Sequence, residues 1–342
     1  MSKKVVMQDI ADRLNISKNS VSQALSGKDG VSEATRKKII QTAEEMGYRY
    51  TKKRKAATDQ QHVQTIGLIA SEFAFSMQNF FGEIYLAIEG EAHRNGINLL
   101  IQSVTPAARD SLLLPSFIEN RQVDGILILS HISTDYINKI IDQGIPTVLI
   151  DHHHPMISAD AVLTNNRFGA YTAVKHLVDL GHREIGIIGN VDASPSYLER
   201  WEGYRLALRE HDIELNPAHV FVQVMEDGER IDEAISSVHR QPTAWFCLND
   251  GFAFFVSSSL GKAGYRIPQD VSICGFDNSD FSQMSVPKMT TIDINLSRFA
   301  HKAFSQLMWR IQNRDEVVVE ILLPTDLVVR GSTGKCRTDE HT

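Results

Sequence analysis

The sequence predicts an α/β protein in which a small helical head and a hinge linker precede a two-lobed body with parallel sheets. Seven short apolar runs alternate with amphipathic helical patterns from residue 65 onward. Three short helical patterns occupy residues 7–46, and a basic stretch with scarcely any apolar residue separates the two parts. Apolar runs that alternate with helices are typical of βαβ units, whose parallel sheets are buried on both faces.

The charge of the chain is divided unevenly between head and body. The 342 residues carry a formal net charge of -7, yet residues 1–62 hold 13 Lys and Arg against 7 Asp and Glu, a net charge of +6. The remaining residues hold 22 Lys and Arg against 35 Asp and Glu, a net charge of -13. A short basic domain suits a polyanion, whereas an acidic body does not lie along nucleic acid.

The composition excludes several classes of protein. A hydrophobic content of 42% with 23% charged residues is ordinary for a globular chain and excludes disordered, collagen-like and coiled-coil proteins. The sequence has neither an apolar run of about 18 residues nor a secretory pattern at its start, so we expect a cytoplasmic protein. Cys247, Cys274 and Cys336 lack CxxC spacing. We therefore expect two buried strand residues and one tail thiol rather than a zinc site or a disulfide framework.

Three amphipathic helices are expected in the head, over residues 7–14, 18–26 and 32–46. Ser17 and Ser32 are placed to cap the second and third helices. Two short helices joined by a tight turn and closed by a third form a helix-turn-helix. A generic three-helix bundle with a basic surface is the alternative. DNA binding is favoured over it because the polar face of the second helix carries side chains that can contact base edges or phosphate, namely Lys18, Asn19, Ser22 and Gln23.

The apolar runs of the body divide into two sheets, one for each lobe. The first sheet is expected to contain residues 66–70, 97–103, 125–130 and 147–151, and the second residues 184–189, 244–250 and 271–277. We expect the hinge near Asp160 to Asn166, and a further crossing to the first lobe and back after Met289. Two open α/β lobes joined in this way close on a small molecule at the carboxyl ends of their strands.

Polar residues at the strand ends are the candidates for contact with that molecule. Arg200 opens the helix after residues 184–189 and offers a fixed fork of donors, while carboxylates and amides accept from hydroxyl groups, which suits a sugar. For Asp151 and Asp277 the alternative is capping or interlobe hydrogen bonding. Three aromatic residues could form a wall of the site or belong to the core: Phe73, Phe75 and Trp201. The strand-end candidates are Ser71, Ser130, His131, Asp151, Asn249 and Asp277.

The residues do not favour a metal site, a cofactor or catalysis. His152, His153 and His154 are consecutive, and neighbouring residues of an extended segment point to opposite sides, so we expect a solvated loop. The motifs GxxxxGK[ST], GxSxG and HExxH do not occur. We expect a protein that is not an enzyme and needs no cofactor.

Residues 5–50, VVMQDIADRLNISKNSVSQALSGKDGVSEATRKKIIQTAEEMGYRY, resemble the headpiece of the LacI family of bacterial transcriptional regulators. The likeness continues to about residue 333 through the motifs GHREIGIIG (181–189), ERWEGYRLAL (199–208), CLND (247–250), GKAGYRIPQDVSICGFDN (261–278) and LPTDLVVRGST (323–333). It implies a body similar to the periplasmic sugar-binding proteins. It also implies a homodimeric repressor that binds an operator in double-stranded DNA and responds to a small carbohydrate-like effector.

The resemblance implies roles for individual residues. Lys18, Asn19 and Gln23 are implied to read bases, and the phosphate-contact candidates are Ser17, Ser20, Ser22 and Ser32. In the family the linker forms a hinge helix with an apolar wedge, usually Leu, that opens the minor groove. Ala57 occupies that position here beside Lys52, Lys53 and Arg54, so a flexible basic tether remains equally open. Effector contacts are implied at Asp151, Arg200, Asn249 and Asp277.

Two residues of the head depart from the family pattern. Val6 stands where the family usually has a Thr cap, and Gln23 where it usually has Arg. The first change concerns how the first helix begins. The second alters the groups offered to the bases, so we expect the fold to be kept and the operator sequence to differ.

The implied domains are residues 1–48 for DNA binding, 49–64 for the basic linker, 65–333 for effector binding and dimerisation, and 334–342 for a tail. Lobe one would comprise about 65–162 plus 293–323, and lobe two about 163–292 plus 324–333.

The tail has no apolar heptads, so we expect a dimer. Because Arg200 and His131 are the basic residues among the candidates, we expect a neutral sugar. The alternative is a cytoplasmic solute-binding module whose head makes protein contacts, which salt-sensitive retention on specific DNA would exclude.

Overall fold

The computed structural model describes residues 6–26, 31–46, 48, 63–72, 74, 81–130 and 132–337. The chain divides into two compact units, residues 1–60 and 61–342, and each is described by itself. In the described ranges no helix is long and apolar enough to cross a membrane.

The first unit contains three helices, α1 (Met7–Leu14), α2 (Lys18–Ser26) and α3 (Glu33–Glu45). Asn15 ends α1 with a left-handed φ of 51°, a conformation that Asn tolerates, and α2 begins three residues later. The small core between the helices is formed by buried residues from all three: Ile10, Ala11, Val21, Ala24, Ile39 and Ala43. These elements and their tight turn form the expected helix-turn-helix.

Lobe one of the second unit contains a six-stranded parallel sheet. Its strands are β1 (Thr65–Ser71), β2 (Asn98–Val104), β3 (Gly125–Leu129), β4 (Thr147–Ile150), β5 (Asp160–Thr164) and β11 (Glu320–Leu323), and they lie in the order β2, β1, β3, β4, β5, β11. The helices of this lobe are α4 (Glu83–Arg94), α5 (Pro106–Asp110), α6 (Ser116–Glu119), α7 (Thr134–Ile141) and α13 (Leu296–Gln312). Every residue of β3 and β4 is buried, which explains their continuous apolar runs.

Lobe two contains a four-stranded parallel sheet in the order β7, β6, β8, β9. Its strands are β6 (Ile185–Ile188), β7 (Val220–Phe221), β8 (Ala244–Cys247) and β9 (Ser272–Cys274). Its helices are α8 (Asn166–Asp179), α9 (Pro195–Glu210), α10 (Gly228–Ser236), α11 (Asp250–Lys262) and α12 (Asp280–Met284), with a 3₁₀ turn over Pro217–His219. Cys247 and Cys274 are buried in its strands, and Cys336 is partly exposed, as expected.

The chain crosses between the lobes three times. It passes from β5 to α8, from β10 (Thr291–Asp293) to α13, and from β11 to β12 (Asp326–Val328), and the short strands β10 and β12 pair antiparallel. The backbone N–H of Asn165 donates to the carbonyl oxygen of Leu323 at 2.9 Å, so a hydrogen bond joins the first and third crossings. The crossing at Asn165 lies within the range expected for the hinge, Asp160 to Asn166, and the first five residues of that range form the buried strand β5.

Candidate functional site

Polar residues stand at the carboxyl ends of strands in both lobes. Ser130 and Asp151 follow β3 and β4 in lobe one, and Asp277 lies beyond β9 in lobe two. These three residues have positive φ angles of 67°, 55° and 99°. The left-handed conformation costs a residue with a side chain roughly 1–2 kcal/mol. Strain of this kind clusters at functional sites, which directs attention to these strand ends.

Arg200 lies at the centre of the site and is only 3% exposed. Its Nε donates to Oδ1 of Asn166 at 2.9 Å, and its Nη1 donates to the carbonyl of Leu248 at 2.6 Å. Its Nη2 lies 2.8 Å from Oδ1 of Asp277. The guanidinium also lies 3.7 Å from the ring centroid of Phe276. Arg200 is therefore held rigidly by lobe two.

Two local features of α9 place Arg200. Ser194 caps the helix by accepting from the backbone N–H of Ser196, and Pro195 occupies the first turn, where its missing N–H costs nothing. Gly203 allows α9 to pack closely on α8, because a Cβ there would overlap the carbonyl oxygen of Arg167. This close approach brings Arg200 within reach of Asn166 at the start of α8.

Asp151 is the residue of lobe one that contacts the lobe-two part of the site. Its Oδ1 accepts from the hydroxyl of Ser196 on α9 at 3.2 Å. Burial raises the pKa of Asp151 to about 7; the charge of Arg200 opposes this shift, and the charges of Asp277 and Glu199 add to it. The carboxyl group can therefore exchange a proton near neutral pH.

Asn249 connects the site to two residues that the sequence analysis missed, Tyr197 and Glu226. Its Nδ2 donates to the Tyr197 hydroxyl at 2.7 Å and to Oε2 of Glu226 at 2.8 Å. Its Oδ1 accepts from the backbone N–H of Phe252 and thereby caps α11. Glu226 was missed because it follows β7, a two-residue strand without an apolar run long enough to mark its end.

The cluster is acidic, and burial is the main cause of the shifts in it. Burial raises the pKa values of Glu226 and Asp277, and it raises the pKa of Tyr197 as well. Asp250, next to Asn249, also has a pKa raised to about 7 by burial. Its carboxylate accepts from Thr291 at 2.6 Å and from the backbone of Ser279 at 2.7 Å, so it ties the strand ends of lobe two to β10.

The prediction that the three histidines form a solvated loop was wrong for His152 and His153, whereas His154 is exposed. His152 is only 2% exposed, because it follows the buried strand β4. His153 is half-buried between two carboxylates, with Nε2 3.1 Å from Glu199 and Nδ1 3.1 Å from Glu320. Within the residues described, no group of three or more His, Cys, Asp or Glu side chains is arranged to hold a metal ion.

The remaining candidates of the body are placed as follows. Trp201 packs against Tyr204 of the lobe-two core with ring centroids 5.4 Å apart. The Ser71 hydroxyl accepts from the backbone N–H of Ala74 at 3.2 Å. Phe73, Phe75 and His131 lie outside the described residues.

The polar face of α2 is the candidate DNA interface of the head. Lys18 and Asn19 are exposed, and Ser22 and Gln23 are partly exposed. Ser17 caps α2 by accepting from the N–H of Ser20 at 3.0 Å. At the start of α3, Ser32 accepts from the N–H of Thr35 at 3.3 Å. The linker candidates Lys52, Lys53, Arg54 and Ala57 lie outside the described residues.

Val6 shows how α1 begins without the usual hydroxyl cap. Its side chain is exposed and makes no capping hydrogen bond. The backbone N–H of Val6 instead donates to the Asp9 carboxylate at 2.7 Å. An acidic residue in the first turn also interacts favourably with the helix dipole, so α1 keeps its start.

Comparison with known proteins identifies both parts of the chain. Residues 6–50 match the family model of bacterial regulatory proteins of the lacI family, and residues 174–333 match that of a periplasmic binding protein-like domain. The ribose operon repressor of Haemophilus influenzae is 31% identical over 330 residues, which cover 95% of this chain and 98% of that protein.

Two solved structures show the same fold. A LacI family transcriptional regulator from Enterococcus faecium with bound ribose superposes with a TM-score of 0.67 at 27% identity, covering 80% of this chain and 100% of that one. The lac repressor dimer bound to operator and an anti-inducer gives a TM-score of 0.68 at 21% identity, covering 97% of this chain and 100% of that one.

Proposed function

This chain belongs to the LacI family of bacterial regulatory proteins, and we propose that this DNA-binding repressor recognises a palindromic operator and is controlled by a neutral sugar held between its lobes. The relatives named above include a ribose operon repressor and a regulator with bound ribose. The dimer of the lac repressor on its operator supports a homodimer for this chain.

The contacts of Arg200 carry the proposal that the effector is a sugar. The strand ends of the two lobes combine hydrogen-bond donors with acceptors. The donors and acceptors come from the guanidinium of Arg200, the carboxylates of Asp151 and Asp277 and the amide of Asn249. Sugar hydroxyls both donate and accept, so such a mixed set can bind several hydroxyls at once. Glu226 and Tyr197, joined through Asn249, extend the same set.

The same contacts disfavour a phosphorylated effector. A phosphate group usually draws paired cations or a helix N-terminus. Among the described residues, Arg200 is the basic side chain shown in contact with this cluster, and its Nη2 is already paired with Asp277. The carboxyl groups around it would repel a dianion wherever they are ionised. A neutral ligand avoids both costs.

On the DNA side, Lys18, Asn19 and Gln23 of α2 are proposed to read base edges in the major groove. The hydroxyls of Ser17, Ser20, Ser22 and Ser32 would contact phosphate, and Lys52, Lys53 and Arg54 of the linker would neutralise it. Two heads on one dimer require two half-sites at a fixed spacing. An effector that favours one arrangement of the lobes over another can alter that spacing and so alter operator affinity.

Calorimetry with matched sugar pairs tests the effector class. Full-length protein is titrated with ribose, glucose and galactose and with the phosphate ester of each. We expect at least one parent sugar to bind about tenfold or more tightly than its ester. A phosphosugar that binds at least tenfold more tightly than its parent would refute the neutral-sugar proposal and leave the repressor assignment intact.

Arg200→Ala tests whether Arg200 mediates the response. We expect the variant to lose sugar binding and the sugar's effect on operator binding, while retaining operator affinity, since the head lies in a separate unit. Arg205→Ala is the matched control, because Arg205 is exposed on the same helix and contacts Trp201 at 5.7 Å. Loss of operator affinity together with sugar binding in Arg200→Ala alone would mean that Arg200 is structural.

A further inference from the structure

Five side chains form a continuous hydrogen-bonded path from the edge strand of lobe one to the guanidinium in the candidate effector site. Glu320 on β11 contacts His153, which follows β4, and His153 contacts Glu199 on α9. Asn166, at the start of α8, donates to Oε2 of Glu199 at 3.1 Å and accepts from Nε of Arg200 at 2.9 Å. We call this path the clasp.

One bond of the clasp joins the two lobes, and each of its partners is anchored in its own lobe. The separation between Nε2 of His153 and Oε1 of Glu199 is 3.1 Å, with His153 in lobe one and Glu199 in lobe two. His153 is held on its other side by Glu320, and Glu199 is held by Asn166. Separating the lobes would therefore break the His153–Glu199 bond without requiring either anchor to break.

The charges in the clasp favour a protonated His153. A neutral imidazole can donate from only one nitrogen, but here both ring nitrogens face carboxylate oxygens at 3.1 Å. The hydrogen bond to Glu199 raises the pKa of His153, burial lowers it, and Glu320 raises it again, to about 9. Within the described residues, the carboxyl group of Asp151, which is bonded to Ser196, interacts with the charge of Glu199. His154 adjoins His153 in the chain, and its Nδ1 accepts from the backbone of Met156.

We propose that His153 is a positioning residue that holds the lobes closed through Glu199 and couples lobe closure to the orientation of Arg200. The clasp acts in the absence of effector, beside the interlobe hydrogen bond from Ser196 to Asp151. Its role in the effector response rests on the proposed function, because the path ends on the guanidinium assigned to the sugar.

Lobe closure can be measured without an effector or an operator. Spin labels are attached to Leu113→Cys in lobe one and Met225→Cys in lobe two, which are 62% and 63% exposed. Cys336→Ser removes the partly exposed cysteine, while Cys247 and Cys274 are buried. The labelled full-length chain is diluted with unlabelled chain, so that pulsed electron–electron double resonance reports distances within one protomer.

We expect a short distance between the two spin labels, which indicates closed lobes, to dominate at pH 7. His153→Gln should lower the ratio of closed to open protein by about three- to fivefold, the effect of one partly exposed ion pair. Raising the pH of the labelled protein that carries no further substitution from 8, where Asp151 is already mostly ionised, to 10 should produce a similar loss. His153→Gln should show no such pH dependence. His153→Arg, which stays charged throughout this range, should keep the lobes closed at pH 10.

His154→Gln is the matched control, since it removes a neighbouring imidazole outside the clasp. We expect it to give the same distances as the spin-labelled protein without a further substitution. Melting curves confirm that each variant is folded at the pH used. Equal distances for the spin-labelled protein without a further substitution and for His153→Gln at pH 7 would overturn the proposal. A pH dependence that persists in His153→Gln, or an equal effect of His154→Gln, would overturn it too. None of these outcomes bears on whether the effector is a sugar.

Discussion

Asp151 illustrates how burial sets the chemistry of a single residue in the cleft. Its carboxyl group shares a low-dielectric site with Asp277, and Arg200 is already paired with Asp277. Burial raises the pKa of Asp151 to about 7, whereas the group has a pKa near 3.8 in the unfolded chain. The folded protein therefore binds more protons than the unfolded chain between these values, and stability falls as the pH rises from about 4 to about 7.

Asp151→Asn should remove this part of the pH dependence. The amide cannot ionise, so we expect the variant to melt at a higher temperature than the wild type at pH 8 and to keep only a smaller part of this advantage at pH 5. Melting curves at both pH values provide the measurement. Asp192→Asn, at an exposed position beyond β6, is the control and should not change the difference between the two pH values. An unchanged pH difference in Asp151→Asn would contradict the prediction.

Gln23 provides the residue-scale prediction for DNA. An Arg at this position donates twice to O6 and N7 of guanine, whereas a Gln amide donates to N7 and accepts from N6 of adenine. We expect the outer half-site to carry an A·T pair where relatives carry G·C. Gln23→Arg should shift the preference toward G by about 1–3 kcal/mol, measured by binding to operators that differ at this pair. Selection of G by the wild-type protein from random DNA would contradict this role for Gln23.

At the scale of elements, α13 is attached to lobe one by a buried ion pair. Arg310 forms two hydrogen bonds to Asp160 of β5, at 2.6 and 2.8 Å, and Gln306 adds a third at 2.8 Å. Burial acts to raise the pKa of Asp160, but the hydrogen bonds from Arg310 and Gln306 and the charge of Arg310 outweigh it, so the pKa is lowered. Arg310 also donates to the carbonyls of residues 313, 316 and 317, which lead into β11.

Arg310→Met should therefore destabilise the body by about 3–5 kcal/mol, because it leaves a buried carboxylate without its counter-charge. Urea denaturation measures the change. Arg314→Met, at an exposed position just beyond α13, should have little effect. The double variant Asp160→Asn, Arg310→Met should lose less than the sum of the two single variants, since the pair acts as a unit. Additive losses would show that the ion pair is not coupled.

Some strands of the body could be predicted from the sequence, and others, including the strand that carries this ion pair, could not. Strands β3, β4 and β8 were predictable because every residue in them is buried and apolar or nearly so. Strand β5 begins with Asp160, and only the structure shows that Arg310, 150 residues away, neutralises it. β10 and β12 have three residues each, too few for an apolar pattern to identify them.

At the candidate site, the sequence directed attention to residues that follow clear apolar runs. Arg200, Asn249 and Asp277 were named in this way, and the structure joins Arg200 to Asp277; their contact with an effector stays a prediction. The contacts of Asn249 with Tyr197 and Glu226 could not be inferred, because they depend on how the loops after β6 and β7 fold back on β8. For Trp201 the sequence left a wall of the site and the core as alternatives, because an aromatic residue suits both; the structure packs it against Tyr204 of the lobe-two core.

At the scale of the whole molecule, the first residues of the tail are docked on lobe two. The carbonyl of Gly334 lies 3.0 Å from Nε2 of His182, and the N–H of Cys336 donates to the carbonyl of Leu180 at 2.9 Å. Arg337 lies 3.1 Å from Asp270. Residues 334–337 therefore complete the surface of lobe two, while residues 338–342 lie outside the described part of the chain.

Two truncations test the assembly. Ending the chain after Arg337 or after Thr333 should leave a dimer in sedimentation, because neither removes an apolar heptad. The shorter chain should be less stable by about 1–2 kcal/mol, since it loses hydrogen bonds to partly buried groups. Ending after Arg337 is the control and should not change stability. A tetramer that survives both truncations would show that the oligomer interface lies elsewhere in the body.

The path of the chain through the two lobes also decides the order in which they are completed on the ribosome. Helix α13 supplies Phe299, Phe304 and Leu307 to the core that covers one face of the lobe-one sheet, and β11 extends that sheet beyond β5. Translation delivers both segments only after all four strands of lobe two have emerged. Lobe one therefore keeps apolar sheet surface uncovered while the strands of lobe two emerge. Lobe two in turn waits for Ser332, which is buried against Ile273 of β9, so neither lobe is complete until the segment after β11 has been translated.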